Sequence, residues 1–462
     1  MSTNNQNVVI VGGGAAGISA AAQLAELGIK SRIIDEATKL GGVVYRGPLR
    51  HTEELPHLDE FYQKSQKSLQ DKYHNNKDKI DVQLETSVVG PDGTDGLIIS
   101  DQQKLENVKY DYLILSTGCH ERSIPFPGWT LPGIMMMGGV QLQIKSGLVR
   151  PGEKMALCGT GPLLPLIACQ LHKGGVEVEG VYEASSFSKL AKEAVALLNK
   201  PMLTLNGLSM MSYLKRNNVP FHYGWGIVKA EGKEAVESVT VAPYDKEWKA
   251  DLSKARKANV DSIGIGYGFV ARTQITQLLN LEHEYSYQSS YVPKLDEFHR
   301  ASKDNVYVAG DTSGILGSDG AAFEGQIAAF DIALRMGVID ASTHSSRVNK
   351  ARKGLQRVKN FRFGFDRFSE RQLGMLDLPD DDTVICRCEN IKKSQIDAAF
   401  ERGVKDITSL KMATRAGLGD CQGKVCSAYC YDRFKQAGHQ EKMGQLRARF
   451  PIEPITFAMM ED

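Results

Sequence analysis

The turn Gly12-Gly13-Gly14-Ala15-Ala16-Gly17 constrains this chain more than any other segment. It follows the fully apolar run Val8-Val9-Ile10-Val11, which predicts a buried parallel strand. An alanine-rich helix is predicted after it, to about Leu27, where Gly28 stops it. Ser31 to Ile34 predicts the next strand, and Asp35 stands at its end. A strand, a bare glycine turn, a helix, a strand and an acid make a dinucleotide-binding unit. The glycines let the backbone approach a pyrophosphate, the helix N-terminus attracts its charge, and the acid accepts hydrogen bonds from a ribose.

The pattern recurs. Lys154 to Cys158 predicts an apolar strand, Gly159-Thr160-Gly161-Pro162-Leu163-Leu164 follows, and Glu183 ends the strand Val178 to Tyr182. Here Leu164 replaces the third glycine, and Pro162 stands inside the motif. Ser262 to Phe269 reads as the last strand of this second unit. The altered motif favours a retained fold without a bound nicotinamide over an NAD(H) site. Gly41-Gly42 resembles a flavin-type extension of the first motif. Tyr112 to Gly118, ending in Thr117-Gly118, and Asn305 to Asp311, ending in Gly310-Asp311, resemble recurring segments of glutathione-reductase-like flavoproteins with two dinucleotide-binding domains. That likeness implies that Asp311 binds a ribityl chain. It also implies that a helix over Gly320 to Phe330 points its N-terminus at a flavin.

With 462 residues, 42% of them hydrophobic, the chain is long enough for several filled cores. A net charge of +1 gives no case for nucleic acid or an anionic membrane. No run of about 18 apolar residues is present, so no transmembrane segment is expected. Met1 to Asn7 lacks the marks of a signal peptide, which places the protein in the cytoplasm.

Three of the eight cysteines, Cys119, Cys158 and Cys169, are scattered, and five fall in the last 80 residues. Cys386-Arg387-Cys388 and Cys421 to Cys426 are two tight pairs suited to one metal centre. The spacing leaves zinc and an iron–sulfur cluster open. The flavin-type unit tips the reading to iron–sulfur, because a flavin passes single electrons to a cluster and none to zinc. Cys430 reads as a helix-face thiol. Glycines at 417, 419 and 423 are expected to turn backbone N–H groups toward cluster sulfurs. Cys158 and Cys169 read as buried small hydrophobes. His120-Glu121-Arg122 reads as a charged loop.

The Cys386–Cys426 segment resembles the two-iron domain of bacterioferritin-associated ferredoxin. It is closer to the version fused to amine-oxidising flavoproteins, with Gly417-Leu418-Gly419-Asp420-Cys421-Gln422-Gly423. The run Pro125-Phe126-Pro127-Gly128-Trp129 also fits. End to end, the chain resembles the larger flavoprotein subunit of opine oxidases, hydrogen cyanide synthase and D-hydroxyproline dehydrogenases. After Gly41-Gly42 that family often has Gln-Ile-Tyr-Arg, where this chain has Val43-Val44-Tyr45-Arg46.

The resemblance implies an α/β flavoprotein plus a small α-helical [2Fe–2S] domain. The expected division is a FAD-type domain (1–120 and 290–340) and an inserted second Rossmann-like domain (121–289). A basic, aromatic linker (341–382) and a [2Fe–2S] domain with its tail (383–462) follow. The expected nucleotide-binding residues are Gly12, Gly14, Ala15, Ala16, Gly17, Asp35, Glu36, Gly42, Arg46, Thr117, Gly118, Gly310 and Asp311. The expected cluster ligands are Cys386, Cys388, Cys421 and Cys426. An adenine nucleotide in place of FAD, and an FMN at a subunit boundary, are variants the resemblance carries.

It further implies a D-amino-acid-oxidase-like partner with its own FAD, with room for a small third subunit, and a quinone-type acceptor. The whole complex would oxidise a CH–NH bond, peripheral to the inner membrane through its partners. No residue of this chain reads as a base for that chemistry. The rivals are a self-contained NAD(P)H-dependent reductase and a zinc-stapled scaffold subunit. Arg347 to Arg371, with nine Lys or Arg against two acids, reads equally as a partner surface or a solvated linker helix.

Overall fold

A computed structural model describes residues 7–49 and 60–460. The polar start of the chain, residues 1–6, lies outside them. Val8–Val11 is buried at every position and forms the middle of a parallel sheet. Across that sheet the strands run Val306–Val308, Tyr112–Leu115, Val8–Val11, Ser31–Ile34, Ile80–Gln83. A second parallel sheet runs Phe221–Tyr223, Glu177–Glu183, Lys154–Gly159, Ser262–Gly266, Ile134–Met136. Each unit carries a three-stranded antiparallel sheet, Ser87–Asp92 to Leu105–Lys109 in the first and Trp225–Glu231 to Arg256–Asn259 in the second. The fold is thus α/β with two Rossmann-like units. The two crossovers between them, Cys119–Glu121 and Phe269–Ala271, pair antiparallel.

Close packing explains the glycines of the first turn. A Cβ on Gly17 would sit 1.9 Å from the Gly12 carbonyl oxygen, so the helix Ala15–Glu26 can lie on its strand only with glycine there. Gly12 itself has φ of +103°, a backbone that side chains resist. The helix Ser318–Arg335 crosses the same helix, and its Gly325 faces the Ala16 carbonyl.

The segment after it is one helix, Ala341–Phe368. Val348, Ala351 and Leu355 bury against Ile327 and Phe330, and its far end meets the second unit, where Gly364 faces Ala196. Beyond it lies a small, mostly helical unit: a hairpin of Val384–Cys386 and Ile391–Lys392, then helices Lys393–Glu401, Ile407–Thr414 and Ser427–Gln436. Asp406 caps the middle helix, its carboxylate accepting from the Ser409 N–H at 2.8 Å. Ile385, Ile396, Leu410 and Phe434 form the core. A buried bidentate pair, Arg371 to Asp432 at 2.9 and 2.7 Å, anchors the unit to the rest of the chain. The Trp129 indole N–H donates to the Val384 carbonyl at 2.7 Å, so the Pro-Phe-Pro-Gly-Trp run joins the second unit to this one.

Candidate functional site

A cavity of about 570 Å³ runs along the carboxyl ends of the first sheet. Ligands of open α/β sheets bind at such edges. Twelve of the thirteen expected nucleotide-binding residues line it; Gly17 does not and serves helix packing instead. Asp35 turns both carboxylate oxygens to backbone, accepting from Gly13 N–H at 2.5 Å and Ala37 N–H at 2.7 Å. Burial nevertheless raises its pKa. Glu36 pairs with Arg272 at 2.7 and 3.3 Å, and that bond holds its carboxyl below the usual range. Asp311 accepts from Leu316 N–H at 3.1 Å and Gly317 N–H at 3.0 Å, capping the turn into Ser318–Arg335. The Cys119 thiol points at its other oxygen from 3.6 Å.

The second glycine turn, Thr160 to Leu164, lines the far end of the same cavity. Glu183 repeats the Asp35 arrangement, accepting from Gly161 and Ser185 N–H, both at 2.8 Å. The two acids differ in cover. Glu183 is 1% exposed and absent from the cavity wall. The Ser185 hydroxyl donates to the Phe368 carbonyl at 2.6 Å and Lys189 reaches the Glu370 carbonyl at 3.3 Å, so the end of the long helix lies over this strand end. Burial pushes the Glu183 carboxyl up to about 7. Leu164 is 1% exposed and fills the core beneath the turn.

His120 and Glu121 do not form the charged loop expected from sequence. They lie on the strand Cys119–Glu121, half-buried, and face the cavity. The register against Phe269–Ala271, a long-range pairing, draws them out of solvent. Burial pulls His120 down to about 4, and its ring faces the Lys424 backbone. Burial pushes Glu121 up to about 7 while its carboxylate accepts from Gly138 N–H at 2.7 Å. Arg272, Ile452 and Glu453 also line the cavity, and no local motif marks them in the sequence.

The cluster cysteines lie behind this wall. Cys386 contacts Cys426, and Cys388 contacts Cys421. Among the described residues no three His, Cys, Asp or Glu side chains are arranged around a single metal ion. Two thiol pairs side by side match the donors of a two-iron cluster, two thiolates to each iron. The Gly417 N–H faces the Cys386 sulfur, as expected. Gly419 and Gly423 also make room: added Cβ atoms would sit 2.3 Å from the Cys388 Cβ and 2.1 Å from a Leu446 methyl. Cys430 is buried one turn beyond Cys426. The Ser123 hydroxyl donates to the Val425 carbonyl at 2.6 Å, and Lys424 pairs with the cavity residue Glu453 at 2.9 Å. Gln422 holds the returning C-terminal tail, donating to the Pro451 carbonyl and accepting from Arg449 N–H, both at 2.7 Å.

The family model for pyridine nucleotide-disulphide oxidoreductases matches residues 6–337. The chain belongs to that family. The model for the BFD-like [2Fe-2S] binding domain matches residues 384–431, which hold all four expected ligands. Hydrogen cyanide synthase subunit HcnB of Pseudomonas protegens is 46% identical over 98% of this chain and 97% of its own length. An opine oxidase subunit of Rhizobium meliloti is 27% identical over 98% of this chain and 86% of its own length. L-proline dehydrogenase from P. horikoshii shares the fold, with a TM-score of 0.71 at 19% identity over 99% of this chain and 79% of that one. This family member is therefore an oxidoreductase of two Rossmann-like units with a C-terminal [2Fe–2S] domain. Among its described residues no helix is long and apolar enough to cross a membrane.

Proposed function

We propose that the chain is the electron-transfer subunit of a heteromeric dehydrogenase or oxidase that acts on the CH–NH bond of an amino acid or secondary amine. One observation carries this reading: the nucleotide cavity and the thiol pairs share a wall. Cys119 to Arg122 line the cavity, and Ser123 bonds the loop between Lys424 and Cys426. The curated relatives that match end to end are named as subunits of hydrogen cyanide synthase and opine oxidase. The partner proposed is a D-amino-acid-oxidase-like flavoprotein that oxidises the substrate, and the acceptor is of quinone type.

A bound flavin takes up two electrons and releases them singly, and a [2Fe–2S] cluster carries one at a time. Around such a cofactor Gly12 and Gly14 bring bare backbone to a pyrophosphate. Asp35 and Glu36 sit where a ribose lies in this fold. Asp311 aligns the Gly317 amide, and the 18-residue helix Ser318–Arg335 directs its N-terminal dipole into the cavity. Glu121, with its carboxyl at about 7, holds or releases a proton at the inner wall near neutral pH. Cys386, Cys388, Cys421 and Cys426 would hold the cluster. The reading needs no FMN.

An NAD(P)H-dependent reductase is disfavoured by the cover over Glu183 and by Leu164, and a zinc scaffold by the paired thiols. The test is an anaerobic visible spectrum of the purified chain, with metal analysis and identification of the released nucleotide. Flavin absorbance with about two irons per chain supports the proposal. Zinc without flavin sinks it.

A further inference from the structure

The helix Pro201–Arg216 is badly provided with partners for its composition. Of its sixteen residues only Leu214 is buried. Its C-terminal half leans on the helix Leu163–Lys173 through Met210, whose carbonyl accepts from the Cys169 thiol, and through Tyr213, bonded to His172 at 2.9 Å. Its N-terminal half presents Met202, Leu205 and Leu208 to solvent, 58–64% exposed. Just upstream Val195 and Leu198 are 77% and 70% exposed. Phe363, 59% exposed, adds to the same flank, because the helix Ala341–Phe368 packs on Ala194–Leu197 there. Six large apolar side chains, each more than half exposed on adjoining helices, exceed what a monomer's surface ordinarily carries in one place.

Basic side chains run back from this flank along the long helix. Lys353, Arg357, Lys359 and Arg367 are exposed along the long helix, and Arg367 covers the Phe363 ring at 4.6 Å. The acids nearby are engaged: Glu193 pairs with Arg367, Asp366 with Arg362, and Asp319 with Lys200. Glu370 is the exposed exception. A two-fold contact with a second copy would set this basic stripe against itself. The flank also borders the cavity. Arg362 and Asp366 line the cavity from the helix that carries Phe363, and Lys200 reaches Asp319, next to the lining residue Ser318.

We propose that this flank is the docking surface for the second, substrate-oxidising subunit, which presents an apolar patch rimmed by carboxylates. The inference rests on the heteromeric reading above and names its contact. Apolar side chains at the centre and Arg and Lys at the rim are the usual division of labour in such interfaces. Docked here, the partner lies beside the cavity mouth, where electrons from its substrate must enter.

The full-length tagged chain is expressed in its own host and purified with what it carries. Light scattering gives the mass, and mass spectrometry the subunits. The wild type is expected to carry a second flavoprotein subunit. Leu198→Glu with Leu205→Glu is expected to lower its recovery by about a hundredfold, with circular dichroism and thermal unfolding of this chain unchanged. Lys353→Glu with Arg357→Glu is expected to weaken the complex about tenfold, with a reduced salt dependence. Met412→Glu, at a site 74% exposed on the helix Ile407–Thr414, should leave it intact. Full recovery of the second subunit by the Leu198/Leu205 variant overturns the surface but not the heteromeric reading. A wild type that carries no second subunit overturns both. Loss of self-association, or of binding to anionic vesicles, in place of subunit loss assigns the flank to a second copy or a membrane and overturns the proposal.

Discussion

The two Rossmann-like units are built alike and finished differently. Each has a parallel strand, a glycine turn, a helix and an acid that accepts two backbone N–H groups. In the first, Gly17 lets the helix settle on its strand and Asp35 stays at the cavity edge. In the second, Leu164 fills the core and the segment Phe368–Glu370 lies over the strand that ends in Glu183. The same architecture thus leaves both glycine turns on the cavity but gives one acid at its edge and one acid under cover. A motif's spacing reports the fold, and the cover over its acid decides whether a ligand can reach it.

The largest test of this contrast is Gly17→Ala. Its methyl would lie 1.9 Å from the Gly12 carbonyl oxygen, so helix and strand must part. The loss should be about 4 kcal/mol or more, with nucleotide content falling to nothing in whatever folds. Retained stability and nucleotide would show that the first unit is looser than its packing implies. Leu164→Ala should cost about 2–5 kcal/mol by leaving a cavity in the second core. It should give no NADH binding by calorimetry, because the cover remains. NADH binding in that variant would make Leu164 alone the barrier.

A smaller effect is expected from pH. Burial lifts Glu183 from 4.5 to about 7, so between those values the folded protein holds a proton that the unfolded chain has released. Stability therefore falls as pH rises across this window, by on the order of 1–3 kcal/mol from this group. Glu121 titrates in the same window, so the comparison with Glu183→Gln is what isolates the effect. The variant should show a shallower fall in urea midpoint between pH 4.5 and 7; parallel curves would mean that Glu183 is not sealed. Ser185→Ala removes the bond to the Phe368 carbonyl and should cost about 1 kcal/mol in urea unfolding. No change would mean that the cover is not seated there.

Both units were legible in the sequence because their signals are local. Strand, glycines and acid lie within about 30 residues, and Gly28, which adopts a positive φ, marks the end of the first helix. The thiol pairs were legible by spacing. What escaped is long-range. His120 and Glu121 read as a solvated loop because nothing nearby predicts pairing with Phe269 and Val270, far along the chain. Glu453 reaches the nucleotide cavity only because Gln422 fastens the tail, and Phe368 covers Ser185 only because the long helix spans both units. The space that the glycines at 419 and 423 leave for Cys388 and Leu446 is likewise a long-range matter.

The most direct test is an anaerobic titration of the purified chain with NADH, followed at the flavin and cluster bands, with dithionite as the control reductant. An open first unit and a covered second one predict bleaching by dithionite and none by NADH. Rapid bleaching by NADH would mean that the second unit takes a nicotinamide, and the contrast between the two units would fail.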